Sequence, residues 1–324
     1  MRQTNATIKE VVLSGVGRGW SGFIWMLKIL VPISFLTTIL VFSGWIGKVD
    51  FLLEPCMQVL GLPPHAAVPL VAGILTGIYG GIAAMAPLPL TVNEMTLIAV
   101  FLLISHNLIQ ESYVQGKTGL NPLVATVVRL IASMITVFFL ARILPATGTP
   151  LAIDTAAVAP ISGTLSATIT AWAKSIFFLS LKILVIIMAL MILLEVMKHF
   201  DLIGRLVNII WPLLKLMGLS RGVGFLWLTA GIFGLTYGSA VLMEEARDTR
   251  LDAEELNRLQ FSMGINHAMV EDPALFLPLG ISPLWLWLPR LAAAVVAAHL
   301  VGLWYRFSGR RGLIPAVQPA ETDT

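Results

Sequence analysis

Two short polar stretches interrupt otherwise apolar runs: Ser105-His106-Asn107-Leu108-Ile109-Gln110-Glu111 and Asn266-His267-Ala268-Met269-Val270-Glu271-Asp272. Ionisable side chains at membrane depth cost about 2.5–3.5 kcal/mol each on insertion scales, so they usually face a cavity and have a function. The amides of Asn107, Gln110 and Asn266 can hydrogen-bond a polar solute. His106 and His267 titrate near neutrality and can carry a proton. With Glu111, Glu271 and Asp272 they also offer ligands to a cation. On a continuous helix His267 and Glu271 share a face, as do His106 with Gln110 and Asn107 with Glu111. Asp272 points about 100° away from Glu271. Pro273 lacks a backbone donor, which predicts a break that frees a carbonyl near residue 269. His106, Asn107, Gln110 and Glu111 are therefore expected to meet Asn266, His267, Glu271 and Asp272 at one shared site. A structural alternative has Glu111 and Asp272 neutralise Arg129 and Arg290, which also lie in apolar runs.

The elements that carry these residues are membrane helices. The chain has 324 residues, is 57% hydrophobic and only 12% charged, against about 25% charged in a soluble domain. An all-α polytopic membrane protein follows. The net charge of +3 does not indicate nucleic acid, because the basic residues sit at segment ends, as orientation signals do. The single cysteine, Cys56, excludes an intrachain disulfide and a thiolate cluster. Apolar segments run over Ile29–Gly47, Val68–Met85, Met95–Glu111, Pro122–Leu144, Ile176–Met197, Phe225–Met243, Phe261–Leu279 and Leu284–Tyr305. A spanning helix needs about 20 residues, so several are marginal.

The halves are copies. Leu27-Lys28-Ile29 recurs as Leu181-Lys182-Ile183, Ala72-Gly73-Ile74 as Ala230-Gly231-Ile232, and Tyr79-Gly80 as Tyr237-Gly238. His106 matches His267, Glu111 matches Asp272, and Pro122 and Arg129 match Pro283 and Arg290. Shared composition explains the aliphatic matches but not Tyr-Gly or the paired His and Arg. Basic residues precede the first span and follow the last, which reads both termini as cytoplasmic. The connector from Ile143 to Ala173 has no Lys or Arg and one acid, Asp154, and reads as external. Each half then crosses an odd number of times, and one repeat is inverted against the other. Three crossings plus one Gly-rich re-entrant helical hairpin per half satisfy this parity; a five-crossing half using Asp50–Leu62 also does. The expected division is 1–20 as a cytoplasmic or interfacial segment, 21–145 as the first repeat, 146–172 as the external connector, 173–305 as the second repeat and 306–324 as a cytoplasmic tail.

The Gly-rich segments supply the hairpins. Gly77, Gly80 and Gly81, then Gly234, Gly238 and Ser239, are expected to present backbone to a solute or ion at the hairpin tips. Gly-xxx-Gly helix packing is the alternative. His65, His199 and His299 have no partner at useful spacing, and Trp211, Trp285, Trp287 and Trp304 fit interfacial belts. There is no P-loop, no His-Glu-x-x-His motif and no serine nucleophile beside a base, so no enzymatic activity, cofactor or metal is assigned.

The run Ala230-Gly-Ile-Phe-Gly-Leu-Thr-Tyr-Gly-Ser239, followed by Met243-Glu-Glu245 and a polar His/Asn stretch within duplicated halves, resembles the gate or nucleoside-recognition domain family. That family includes bacterial spore-maturation membrane proteins, and its domain is shared with concentrative nucleoside transporters and ferrous-iron permeases. The resemblance covers roughly residues 20–305 and implies helical hairpins around a gated midplane site. The resulting expectation is a bacterial inner-membrane transporter of a small polar solute, with H+ or Na+ as candidate coupling ions and a homo-oligomer as a candidate assembly. The alternatives are a divalent-metal permease using the same His and carboxylates, or a non-transporting membrane scaffold.

Overall fold

The structure, a computed structural model, describes residues 7–144, 164–200, 202–248 and 252–308. The regular elements among them are helices. Helix α1 (Ile8–Phe42) starts at a capping box: the Glu10 amide donates to the Thr7 hydroxyl at 3.4 Å, and the Thr7 amide donates to the Glu10 carboxylate at 2.7 Å. Its 35 residues extend about 52 Å, well beyond a hydrocarbon core of about 30 Å. The polar stretch expected as a separate N-terminal segment is therefore continuous with the first span from Ile8 onward. Helix α8 (Leu165–His199) is equally long and takes in the last eight positions of the expected connector. The rest of that connector, with Asp154, and the tail from residue 309 lie outside the described residues.

Helices α1 and α8 pack antiparallel. A Cβ on Gly15 would lie 2.7 Å from the Ile192 backbone and one on Gly19 3.3 Å from the Met188 backbone, while Trp172 Nε1 donates to Ser34 Oγ at 2.8 Å. Residue numbers fall along one helix as they rise along the other. Arg18 closes one end on Glu195 at 2.6 Å.

Each half then makes a bent approach to a hairpin. Helices α2 (Trp45–Val59) and α9 (Leu202–Leu216) lead into α3 (Ala67–Thr76) and α10 (Arg221–Phe233) through bends of 85° and 105°. Helices α3 and α10 end at Gly77 (φ 84°) and Gly234 (φ 87°), and the chain doubles back as α4 (Ile78–Met85) and α11 (Leu235–Asp248). A Cβ on Gly81 would stand 3.6 Å from Gly73 Cα, and one on Gly238 would stand 2.7 Å from Ala230 Cα. Eight residues of straight helix would separate those positions by about 12 Å, so both Gly-rich segments are helical hairpins. The structural register pairs Gly77 with Gly234 and Gly81 with Gly238. The sequence matches Ala72-Gly73-Ile74 and Tyr79-Gly80 lie one residue out of that register. The tip needs a positive φ and the opposite wall a small residue, and those two demands fix the alignment.

The remaining helices are α5 (Val92–Ser105), α6 (Leu108–Gly116), α7 (Pro122–Ile143), α12 (Ala253–Ile265), α13 (Glu271–Phe276) and α14 (Pro283–Ser308). Among the described residues, five helical stretches are long and apolar enough to cross a membrane, or seven if each bent pair counts as one span. The α5–α6 stretch is the central one: 72% of its apolar window is buried, against 22–33% for the other four. The halves are also joined by amides. Gln115 Nε2 donates to the Gln260 carbonyl at 2.8 Å, Gln260 Nε2 to the Thr118 carbonyl at 2.9 Å, and Thr118 Oγ1 to Gln260 Oε1 at 2.9 Å.

The hairpin contact sets a stability test. Gly238→Ala drives a methyl into the Ala230 backbone and should lower stability by about 1–3 kcal/mol, read as a melting temperature in detergent. Gly17, on α1, is the control, because a Cβ added there would meet nothing within 4 Å; Gly17→Ala should be neutral or raise stability by up to about 1 kcal/mol.

Candidate functional site

The site is built where the two broken helices meet the hairpin tips. Helix α5 stops at His106 (φ −73°, ψ 158°), Asn107 is left-handed (φ 48°, ψ 37°), and α6 resumes at Leu108. The Asn107 amide donates to the Gly73 carbonyl at 3.0 Å, which also takes the Gly77 amide at 2.9 Å. The second half repeats this. Helix α12 stops at Ile265, Ala268 is left-handed (φ 44°), and its amide donates to the Ala230 carbonyl at 3.0 Å, which also takes the Gly234 amide at 2.9 Å. Asn107 and Ala268 are the non-glycine residues with positive φ among those described. Asparagine tolerates that region; for alanine it costs about 1–3 kcal/mol, a strain kept where the surroundings impose it.

Both imidazoles are anchored by their own helices. His106 Nδ1 lies 2.8 Å from the Leu102 carbonyl, and His267 Nδ1 lies 3.0 and 3.1 Å from the Met263 and Gly264 carbonyls. A carbonyl only accepts, so the assigned tautomer has hydrogen on Nδ1 and aims Nε2 at the other groups. Glu111 Oε1 sits 3.2 Å from His106 Nε2 and 3.2 Å from His267 Nε2. Asp272 Oδ2 lies 3.5 Å from His106 Nε2. Each half's carboxylate thus reaches the other half's histidine, and the rings are 5.2 Å apart between centroids.

Two buried arginines hold the breaks. Arg129 donates to the Ile104 carbonyl at 2.8 Å and the His106 carbonyl at 3.1 Å, and its Nη2 meets Glu111 Oε2 at 2.6 Å. Arg290 Nη2 donates to the His267 carbonyl at 2.6 Å. These carbonyls lose helical partners when the helix stops, and the guanidinium replaces them. The first half matches the structural alternative of a Glu111–Arg129 ion pair. The second half does not: Asp272 faces His106, and no carboxylate lies within 4.0 Å of Arg290 among the described residues. Nε and Nη1 of Arg290 are buried with no hydrogen-bond partner.

The expected helical faces are corrected by these breaks. His267 and Glu271 do not share a face, because residues 266–270 are unwound. Glu271 instead accepts from the Tyr79 hydroxyl at 3.4 Å, across to the first hairpin. His106 lies outside α6, so it meets Glu111 and not Gln110, while Asn107 Nδ2 donates to an exposed Gln110 at 3.1 Å. Asn266 Nδ2 lies 3.1 Å from Met269 Sδ, leaving Asn266 Oδ1 buried and without a hydrogen-bond partner. The break comes before Pro273, not at it; Pro273 sits in the first turn of α13. The Met269 carbonyl, which a non-proline residue 273 would have engaged, accepts from Trp287 Nε1 at 2.6 Å. Among the hairpin residues, Gly77 and Gly234 form the tips. Gly80 and Gly238 pack against their own hairpin partners, Gly81 packs against Leu102 of α5 as well as Gly73, and Ser239 is buried with no hydrogen-bond partner for its hydroxyl.

Sequence reasoning missed Tyr79 and Trp287 as polar contributors. A tyrosine inside a Gly-rich apolar hairpin was the available signal for the first. For Trp287 there was none, since its partner is a backbone carbonyl.

Comparison with known proteins gives one family match and a membrane-protein relative. Residues 23–150 match the gate family model, described as nucleoside recognition. A Bacillus subtilis (strain 168) protein described as the uncharacterized membrane protein YvoD is 29% identical over 296 residues, covering 89% of this chain and 93% of that protein. No solved structure matches. The chain is a multi-pass membrane protein, and over residues 23–150 it is similar to the gate, or nucleoside-recognition, family.

Proposed function

We propose that this protein is an ion-coupled membrane transporter of a small polar solute, nucleoside-like in its hydrogen-bonding demands, in a bacterial inner membrane with both termini cytoplasmic. The observation that carries this reading is the exchange of carboxylates between halves: Glu111 onto His267 and Asp272 onto His106, at 3.2 and 3.5 Å. Two broken helices that meet in a buried polar cluster beneath two hairpin tips make the kind of site that discontinuous helices build in secondary transporters. The antiparallel packing of α1 against its sequence copy α8 supports an inverted relation between the repeats.

The solute side of the cluster is formed by groups with unused capacity. Asn266 Oδ1 is a buried acceptor without a hydrogen-bond partner. Tyr79 and Glu271 make a long 3.4 Å contact that a hydroxyl or ring N–H of the solute can replace. Asn107 and Gln110 lie on the more exposed flank. The hairpins α3–α4 and α10–α11 touch the unwound backbone through Gly73 and Ala230, so moving a hairpin moves the site. That coupling makes them the gates, one for each side.

Three outcomes test the reading. In proteoliposomes, Asn266→Ala and Glu271→Gln should each lower uptake at least about tenfold, one lost hydrogen bond to a polar solute being worth about 1.4 kcal/mol or more. Glu195→Gln, on the distant α1–α8 contact, should leave uptake unchanged. A panel of nucleosides, nucleobases and organic anions should contain a compound that raises the melting temperature of the purified wild type, and unchanged uptake in both site variants would remove the assignment. For inversion, Asn121 and Ser282 are exposed equivalent positions just before Pro122 and Pro283. In a Cys56→Ala background, Asn121→Cys and Ser282→Cys should react with an impermeant maleimide from opposite faces of the membrane; labelling from one face would contradict it.

A further inference from the structure

The histidine cluster contains an unsolved contact. Each Nδ1 hydrogen is taken by a backbone carbonyl, at 2.8 Å in His106 and at 3.0 and 3.1 Å in His267. Neutral imidazoles therefore point two lone pairs at Glu111 Oε1, itself an acceptor, at 3.2 Å each. Asp272 Oδ2 adds a fourth acceptor at 3.5 Å. All four side chains are buried, so bulk water does not separate these atoms. Such a group is stable only with positive charge at its centre.

We propose that His106 Nε2, His267 Nε2 and Glu111 Oε1 bind one divalent transition-metal ion, with the Asp272 carboxylate as a neighbouring charge 3.5 Å from His106 Nε2. The spacing suits it. Tetrahedral bonds of about 2.0–2.1 Å give ligand–ligand edges of about 3.3–3.4 Å, beside the observed 3.2 Å from Glu111 Oε1 to each histidine Nε2. The ligand atoms of His106, Glu111 and His267 all lie within 4.8 Å of one another. The surroundings suit it too. Metal-bound histidines almost always donate their other ring N–H to a carbonyl or carboxylate, and bound carboxylates are themselves hydrogen-bonded. Here the carbonyls of Leu102, Met263 and Gly264 play the first part. Arg129, ion-paired 2.6 Å from Glu111 Oε2, takes the place of the second. Two imidazoles with one carboxylate select a borderline ion such as Zn2+ or Co2+ over Ca2+ or Mg2+, which favour all-oxygen shells. The ligands come from α5–α6 and from α12–α13, so the ion ties the two halves together. This inference rests on the cluster being the functional centre, and not on which solute crosses.

The test is metal loading of the purified full chain. After chelation and dialysis against Co2+ or Zn2+, elemental analysis should give one ion per chain. Co2+ should show the intense visible absorption of a tetrahedral site. Asp272→Asn should weaken binding at least about tenfold, and His106→Gln/His267→Gln should abolish it. If the double variant does not fold, the wild-type stoichiometry and Co2+ spectrum still decide. Sub-stoichiometric metal, an octahedral aquo-like spectrum, or full retention by the double variant would show adventitious binding only and overturn the proposal. Imidazolium signals from both histidines in metal-free protein, with no metal uptake, would overturn it in favour of two bound protons. Solute uptake is a separate readout: lost uptake in Asn266→Ala with metal retained bears on transport, and lost metal with solute-induced stabilisation retained bears on the ion alone.

Discussion

A histidine buried in an apolar helix must place both ring nitrogens, and the rest of this structure follows from how that is done. His106 and His267 each return one nitrogen to a carbonyl of their own helix. The other nitrogen cannot reach an acceptor on the same helix face. It is met by Glu111, and for His106 also by Asp272. For His267 the partner comes from the other half. The second half therefore cannot supply its own histidine with a partner, and the cluster is a reason for the halves to close on each other, beyond apolar packing.

Bringing those groups together requires helices to stop in mid-fold, which exposes backbone. The structure satisfies that backbone twice over. Arg129 and Arg290 take the carbonyls at the two histidines, and the hairpins accept the amides of Asn107 and Ala268 through Gly73 and Ala230. Buried guanidinium groups are costly to desolvate. Their position here ties that cost to the geometry of the break. The halves are not equivalent in detail: Arg129 is neutralised by Glu111 at 2.6 Å, while among the described residues Arg290 has no carboxylate so close. A mirror arrangement in which Asp272 turns to Arg290 would exchange the roles of the two halves.

Much of this was legible in the sequence because polar residues in apolar runs are visible without any geometry. The histidines, carboxylates and arginines stood out, and so did their duplication. The hairpins were inferred from glycine density and from the parity of basic loops. What failed was the assumption of continuous helix. Residue spacing pairs His267 with Glu271 and His106 with Gln110, but Asn107 and Ala268 take left-handed conformations that only contact with the hairpin imposes. Tertiary context overrode local periodicity there, and the resulting cross-half pairs have sequence separations that no periodic rule reaches. The one-residue shift in the hairpin alignment has a similar origin: identity scores composition, whereas the fold requires a glycine at the tip.

The joining of the two halves at the cluster turns on Glu111 and His267 being direct partners. A double-mutant cycle of Glu111→Gln and His267→Gln, read as unfolding free energy of the detergent-solubilised protein, measures that contact itself. Direct contact should give strong non-additivity, with a coupling of about 1–3 kcal/mol, and near-additivity for Glu111→Gln combined with the distant Glu195→Gln. Additive effects for Glu111 and His267 would contradict it.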